Sequence, residues 1–331
     1  MKYKLFVILM VLLVVSLNMA YAGNDRRLGT AGAQELRIPI GARSVALGGA
    51  VVADVSGVEA IYWNPAGLAK LSGTEAMFSH QPYFADIDIN FVGVATSIED
   101  FGTIAAAAKI VSIGDMEETT IDQPDGTGRV FSPTLSVLSL SYAKILTSNV
   151  SFGFNTMFIN EKIFEVTANG LAFDVGIHFD PNWNGVTMGM VIKNYGPEMS
   201  FSGRGFDVSD GDRPVRGTNA NFDLPSSLNI GVTYNFLNQD KNYASISGNY
   251  ISNNFSLDVY NGGMEYVFDD MFSLRAGYNY SNQDDYMYGL SLGGGLKYNF
   301  GSTTMSLEYT WMDTDEAAFD ANQFFTLKML F

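Results

Sequence analysis

The sequence predicts an all-β protein: an about fourteen-stranded antiparallel transmembrane β-barrel with a small N-terminal helical hatch. Three observations lead there. From about Thr74 onward, segments of roughly ten residues alternate large apolar with small, polar or charged side chains, with period two. The connections between them are short and long by turns. The chain also opens on an export signal and has no second apolar run long enough for a spanning helix, so a closed barrel is its remaining way to cross a membrane.

The signal occupies residues 1–22. Lys2 and Lys4 precede an apolar run from Leu5 to Leu17, broken only by Ser16, and Ala20-Tyr21-Ala22 supplies a small-x-small cleavage site near Ala22. The run is shorter than the ~20 residues of a membrane anchor, and small residues follow it. Removing the two lysines leaves 17 basic against 35 acidic residues, a mature charge of −18. Such a surface repels phosphate backbones, which excludes nucleic acid as a partner. With no Cys and only His80 and His178, thiol nucleophiles, disulfides, thiolate metal sites and His clusters are excluded as well.

Residues 23–72 do not alternate and are rich in Gly and Ala, as suits a compact segment folded inside a lumen. Ala42 to Leu47 has helical spacing and meets Gly48-Gly49; Glu59 to Trp63 reads as one helical turn stopped by Asn64-Pro65. The barrel is residues 73–331. Its strands are expected at 73–81, 88–98, 102–113, 132–144, 150–163, 169–180, 186–195, 226–236, 243–251, 255–268, 272–281, 287–298, 303–312 and 323–331. Leu228, Ile230, Val232, Tyr234 and Phe236, for example, alternate with Asn229, Gly231, Thr233 and Asn235. Short connections (99–101, 145–149, 181–185, 237–242, 269–271, 299–302) belong to the periplasmic side, and long ones (114–131, 196–225, 313–322) face outward. A soluble β-sandwich would include strands buried on both faces, whereas nearly every segment here alternates. Tyr234, Tyr278, Tyr280, Tyr298, Tyr309 and Trp311 lie near strand ends, as interfacial girdles do. The chain ends on Phe325, Leu327, Met329 and Phe331 along one strand face, an arrangement that looks like the signal read by the outer-membrane barrel-assembly machinery.

The run from Gly41 to Leu71 resembles the N-terminal signature of the PorV/PorQ family, a branch of the FadL-like fourteen-stranded outer-membrane barrels. The resemblance rests on Gly41, Ala42, Arg43, Ser44, Ala46, Leu47, Gly48 and Ala50, and then on Tyr62 to Ala69. It implies a hatch and an address in the outer membrane of a Gram-negative-type bacterium, among lipid and lipopolysaccharide. It further implies a type IX secretion-associated component that engages exported proteins, through their C-terminal secretion domains, with its outer loops. The alternative is a FadL-like transporter or channel for small hydrophobic molecules that uses the hatch. That reading expects an apolar pocket between hatch and wall near Trp63, Phe78 and Phe91, with a break in one strand. Candidate hatch, ligand or partner residues are Arg43, Ser44, Tyr62, Trp63, Asn64, Pro65, Phe78 and Phe91.

No chemistry of bond-making is expected. Asp174 and His178 share a lumen-facing strand face but lie about 13 Å apart at ~3.3 Å per residue, too far for a base and its orienter. Asp207 to Asp212 has the oxygen-rich look of a calcium loop but lacks the downstream Glu, and reads as a solvated acidic loop, so no metal is expected. Gly293-Gly294-Gly295 is not followed by a Lys-Ser/Thr element, so no phosphate loop or nucleotide cofactor is implied; the triplet marks a bend or a close approach to the hatch.

Overall fold

The computed structural model describes residues 27–331 apart from residue 121 and residues 204–206, 211–212, 217–219, 283–285 and 315–319; at 207–210 and 213–216 it describes the backbone. The signal segment 1–22 therefore lies outside the described residues, as do the end of the acidic run 207–212 and much of the loop 313–322.

Fourteen long strands form the wall: β1 (Thr74–Pro82), β2 (Asp88–Ile98), β3 (Gly102–Ser112), β4 (Thr134–Thr147), β5 (Val150–Ile163), β6 (Val166–Trp183), β7 (Val186–Tyr195), β8 (Ser227–Gln239), β9 (Asn242–Asn253), β10 (Val259–Phe268), β11 (Phe272–Ser281), β12 (Tyr288–Phe300), β13 (Thr303–Thr314) and β14 (Asn322–Leu330). Each pairs antiparallel with the next, and β14 returns to β1, with Glu75 opposite Leu330 and His80 opposite Phe325. The closed ladder leaves no unpaired edge, which is what a sheet in lipid requires. No helix among the described residues is long and apolar enough to cross a membrane.

The expected strand at 255–268 begins only at Val259. Phe255 turns in instead, with the Arg27 guanidinium 4.0 Å from its ring centre. Strand β6 is longer than its alternation suggested, because the tight turn at Phe164-Glu165 keeps it paired with β5 up to Val166. At the short-turn end, Asp240, Asp269 and Asp270 adopt left-handed backbone, which Asp tolerates in tight hairpins.

Side chains sort by face. Phe158, Ile230, Met264, Leu274, Leu292 and Leu307 are among the many large apolar residues that point outward, into what must be lipid. Phe179, Trp183, Phe236, Tyr266, Phe268, Tyr298 and Phe300 form an outward aromatic belt towards the short turns. The inward face carries Ser141, Asn155, Asn229, Thr233 and Asn249.

The lumen is occupied by residues 27–73. They run from the mouth with the long loops, where Arg27 pairs with Asp223 at 2.7 Å and Leu36 packs with Met199 and Leu224, to the short-turn end, where Gly73 leads into β1. Short helical turns (Gln34–Arg37, Ala42–Ala46, Gly57–Glu59, Ala60–Trp63, Pro65–Lys70) fold this hatch tightly. The turn at Pro65–Lys70 starts where Asn64 Oδ1 accepts the Ala66 N–H at 3.2 Å and Pro65 occupies the first helical position. Val45, Leu47, Val51, Val55, Val58, Ile61 and Leu68 form the core with Met77 and Phe91 of the wall.

The wall meets the hatch on glycine. A methyl group at Gly153 would fall on the Pro65–Ala66 peptide, at Gly189 on Val52, at Gly263 on Leu47, and at Gly277 on Leu47 and Gly48. At Gly93, Gly176 and Gly293 it would fall on the side chains of Val58, Asn64 and Ala46, and at Gly231 on Asn249 of the wall and then on Val52. These eight glycines lie on β2, β5, β6, β7, β8, β10, β11 and β12, so the hatch touches bare backbone around most of the circumference.

Two outcomes follow for purified protein. Leu307→Arg, placing a charge on an outward side chain 47% exposed, should cost about 2–4 kcal/mol if that residue lies at mid-membrane; unaltered unfolding in titrant would mean the strand faces are reversed. Gly277→Ala should destabilise by about 1–3 kcal/mol through overpacking, while Gly262→Ala, whose added methyl meets nothing, should leave the unfolding midpoint unchanged.

Candidate functional site

The interface between hatch and wall carries most of the buried polar groups. Along one side, seven side chains form an unbroken line of ion pairs. Asp54 pairs with Arg43 at 2.8 Å, and Arg43 with Glu265 of β10 at 2.7 Å. Glu265 accepts from Arg275 of β11 at 2.6 Å, and Arg275 reaches Glu308 of β13 at 3.6 Å. Lys328 of β14 lies 3.5 Å from Glu308 and 2.6 Å from Glu59, back in the hatch. Burial works against the Arg43 charge, but the Glu265 and Asp54 carboxylates outweigh it and hold its pKa well above the usual value. Backbone contacts reinforce this line: Ala42 N–H donates to Thr326 at 2.9 Å, and its carbonyl accepts from Thr310 at 2.6 Å.

On the opposite side the wall is irregular. Between Phe173↔Tyr195 and Val175↔Ile192, one residue of β6, Asp174, faces two of β7, and Lys193 and Asn194 both turn inward, Asn194 with φ 55°. Asn194 N–H donates to Asp174 at 2.7 Å. The Lys193 ammonium sits 3.6 Å above the centre of the Tyr62 ring, and Trp63 packs edge-on to Tyr62 at 5.0 Å. Beyond Tyr195 the chain leaves the ladder. Gly196 crosses close to Leu171, and Phe201–Gly203 pairs with the outer end of β6 in place of β7. Beside this discontinuity, Ile110, Leu138, Phe158 and Leu171 line an outward groove of about 660 Å³ bordered by Pro197 and Glu198.

Above the hatch, towards the outer mouth, aromatic side chains gather. Tyr83 and Tyr288 share a hydrogen bond of 3.0 Å, Tyr286 lies edge-on to Tyr288 at 6.0 Å, and Tyr62 forms the floor below. Burial pushes the Tyr62 hydroxyl's pKa up, so it stays neutral. Lys109 donates to the carbonyls of Glu35 and Ile38, at 2.7 Å for the first, pinning the upper hatch to β3. Glu35 itself is buried, and neither oxygen of its carboxyl has a hydrogen-bond donor. Burial, with the Glu161 carboxylate near it, pushes its pKa up to about 8.

No protein-family model matches the sequence, and no curated protein matches it. The comparison that decides the fold is with solved structures. The Ralstonia pickettii toluene transporter TbuX superposes with a TM-score of 0.55 at 14% identity, over 88% of this chain and 98% of that one. The fold is FadL-like. A Pseudomonas aeruginosa FadL homologue (TM-score 0.54, 13% identity, 88% of this chain and 98% of that one) and the Pseudomonas putida toluene transporter TodX (0.53, 14%, 88% and 96%) agree. TbuX and TodX are both named as toluene transporters.

Within this FadL-like barrel, the residues singled out in the sequence fall in several places. Arg43 anchors the ion line, and the backbone N–H of Ser44 donates to Glu59 at 3.4 Å while the Ser44 hydroxyl is buried. Trp63 donates to the Ile40 carbonyl at 3.0 Å and Asn64 to Val52 at 2.8 Å; Pro65 packs on Gly153. Tyr62 alone of this group reaches the outer lumen. Phe78 does not join Trp63. It points outward, 47% exposed, into a second lipid-side groove of about 430 Å³ with Leu296, Leu307, Phe325 and Leu327, because inward positions on β1 fall at Met77 and Ser79. Phe91 is inward but buried in the hatch core rather than lining a cavity. Phe331, at the barrel seam, exchanges backbone bonds with Thr74.

His80 bonds Asn90 and His178 bonds the Val52 carbonyl; neither hydrogen-bonds a serine. Asp174 serves Asn155 and Asn194 rather than His178. Among the described residues no three His, Cys, Asp or Glu side chains converge as a metal site.

Sequence reasoning missed Glu265, Arg275, Glu308, Lys328, Lys109 and Lys193. Their signal was present: each is a charge at an inward position of an alternating strand, where a water-filled lumen or a polar hatch must meet it.

The Glu35 carboxyl ties the upper hatch to pH. Its folded pKa lies above the unfolded value of 4.5, so the stabilisation is complete below that value and is lost as pH rises through about 8. Hydrogen exchange across residues 33–40 should therefore quicken as pH rises from 4.5 to about 8 and level off above it, after correction for intrinsic rates, and Glu35→Gln should remove the dependence.

Proposed function

We propose that this barrel lies in the outer membrane of a Gram-negative-type bacterium and admits small hydrophobic molecules from outside. In this reading they enter the outer lumen above the hatch and leave sideways through the wall. The observation that carries it is the coincidence of a hatch-filled lumen with a bulge in the wall. The glycine-bedded hatch fills the lumen below Tyr62, while the β6–β7 ladder is interrupted beside that same residue, with an apolar groove outside it. In this reading the bulge in β7 takes the part of the strand break expected of a transporter. The related solved structures support the reading, since they are named as toluene transporters and a monoaromatic hydrocarbon channel.

The secretion-associated reading rests on the resemblance of the hatch run alone. None of the solved neighbours described above is named as a secretion component, and the described part of the loop 113–133 is a small hairpin pairing Met116-Glu117 with Val130-Phe131.

Uptake of labelled toluene into cells expressing the full chain, against cells without it, tests the proposal. Uptake should rise, and it should persist when the hatch is locked to β14 by a disulfide between Ala42→Cys and Thr326→Cys, in a chain with no cysteine of its own. A folded barrel that raises no uptake, or that brings down exported proteins sharing a C-terminal domain, would sink it. Loss of uptake on locking would instead move the route past the hatch.

A further inference from the structure

The outer lumen is not built for a pure hydrocarbon. Arg37, on the exposed side of the turn Gln34–Arg37, projects at the mouth and has no carboxylate partner among the described residues; its one side-chain bond is to Gln34 at 3.4 Å. It lies within electrostatic reach of Tyr62, Tyr286 and Tyr288. Among the described residues Arg43, Arg275 and Lys328 pair with carboxylates, Lys109 donates to hatch carbonyls and Lys193 rests on the Tyr62 ring, whereas the side chain of Arg37 has only Gln34. On the wall beside Tyr83 and Tyr288, two deeply buried inward side chains lack partners among the described residues: Gln81 with both amide atoms and Ser291 with its hydroxyl. Buried polar groups left unmet are costly, and they ask for a polar ligand atom or for water.

From this juxtaposition we propose that the outer lumen binds small aromatic carboxylates, the ring lying among Tyr62, Tyr83 and Tyr288 and the carboxylate held by Arg37. The proposal rests on the transport reading and narrows its ligand. Tyrosine faces and edges suit an aromatic ring better than a flexible chain, because ring pairs add attraction beyond buried area. A guanidinium presents a planar fork that matches a carboxylate and cannot lose its proton. A hydrocarbon of the same shape gains the ring contacts and nothing from Arg37. Capture at the mouth concerns the anion; passage through the apolar wall falls to the neutral acid, formed when the carboxylate takes a proton from water.

The test compares two probes of one shape, p-toluate and p-xylene, titrated into the full-length barrel in mild detergent with heat or intrinsic fluorescence as the readout. Near neutral pH, p-toluate should bind at least about tenfold more tightly than p-xylene. Arg37→Gln should abolish that difference by weakening p-toluate alone. This exposed residue has no ion pair to lose, so the variant should fold, and the unfolding midpoint of the barrel checks that it does. Equal or tighter binding of p-xylene, or p-toluate affinity untouched in Arg37→Gln, would overturn the proposal while leaving the transport reading standing, provided cells still take up toluene. Binding of decanoate as tight as p-toluate would overturn the aromatic assignment. Absence of binding by every probe, together with no toluene uptake, would remove both readings at once.

Discussion

A fourteen-stranded barrel encloses more space than its own inward side chains fill, and the interior of this protein follows from how that space is taken up. A second layer of side chains would not fit between wall and hatch at their present spacing. The strands therefore present glycine where the hatch backbone comes closest, at Gly153, Gly189, Gly263 and Gly277. This lets valines and leucines of the hatch pack against one another while its peptide groups rest on the wall.

Charge then fixes the position of what packing merely admits. The line from Asp54 to Glu59 alternates sign at every step and ties the hatch to β10, β11, β13 and β14. Buried pairs of this kind contribute little net stability, because desolvation offsets most of their attraction, but breaking one leaves an uncompensated charge. Their value lies in register. A hatch rotated or shifted by one residue would leave Arg43 without Glu265, and no other carboxylate pair is placed to receive it. The opposite side of the hatch has no such line; there Lys193 rests on an aromatic ring, at the place where the ladder itself is interrupted.

Much of the fold was legible because a period of two has few meanings. Ile230, Leu292 and Leu307 had to share a face with their neighbours, and in a closed barrel of alternating strands that face meets lipid. The terminal strand and the turn at Asn64-Pro65 were legible for similarly local reasons. What escaped was everything that depends on two segments far apart in sequence. Phe78 looked like a pocket residue because it is aromatic and near the hatch, yet parity on β1 sends it outward, and Met77 inward. Glu265 and Arg43 are separated by 222 residues, so nothing local could pair them. The bulge at Lys193-Asn194 was hidden because both residues are polar and sit where an inward and an outward position would ordinarily alternate.

The glycine bed also dictates an order of events. The hatch precedes β1 in the chain, and the wall is sealed only when the last strand, β14, pairs with β1 and Phe331 bonds to Thr74. Once that seam has formed, a segment whose backbone touches the wall on so many sides has no clearance to thread through it. The ring must therefore close around its own filling, and the hatch acts as the mandrel on which the sheet is curled.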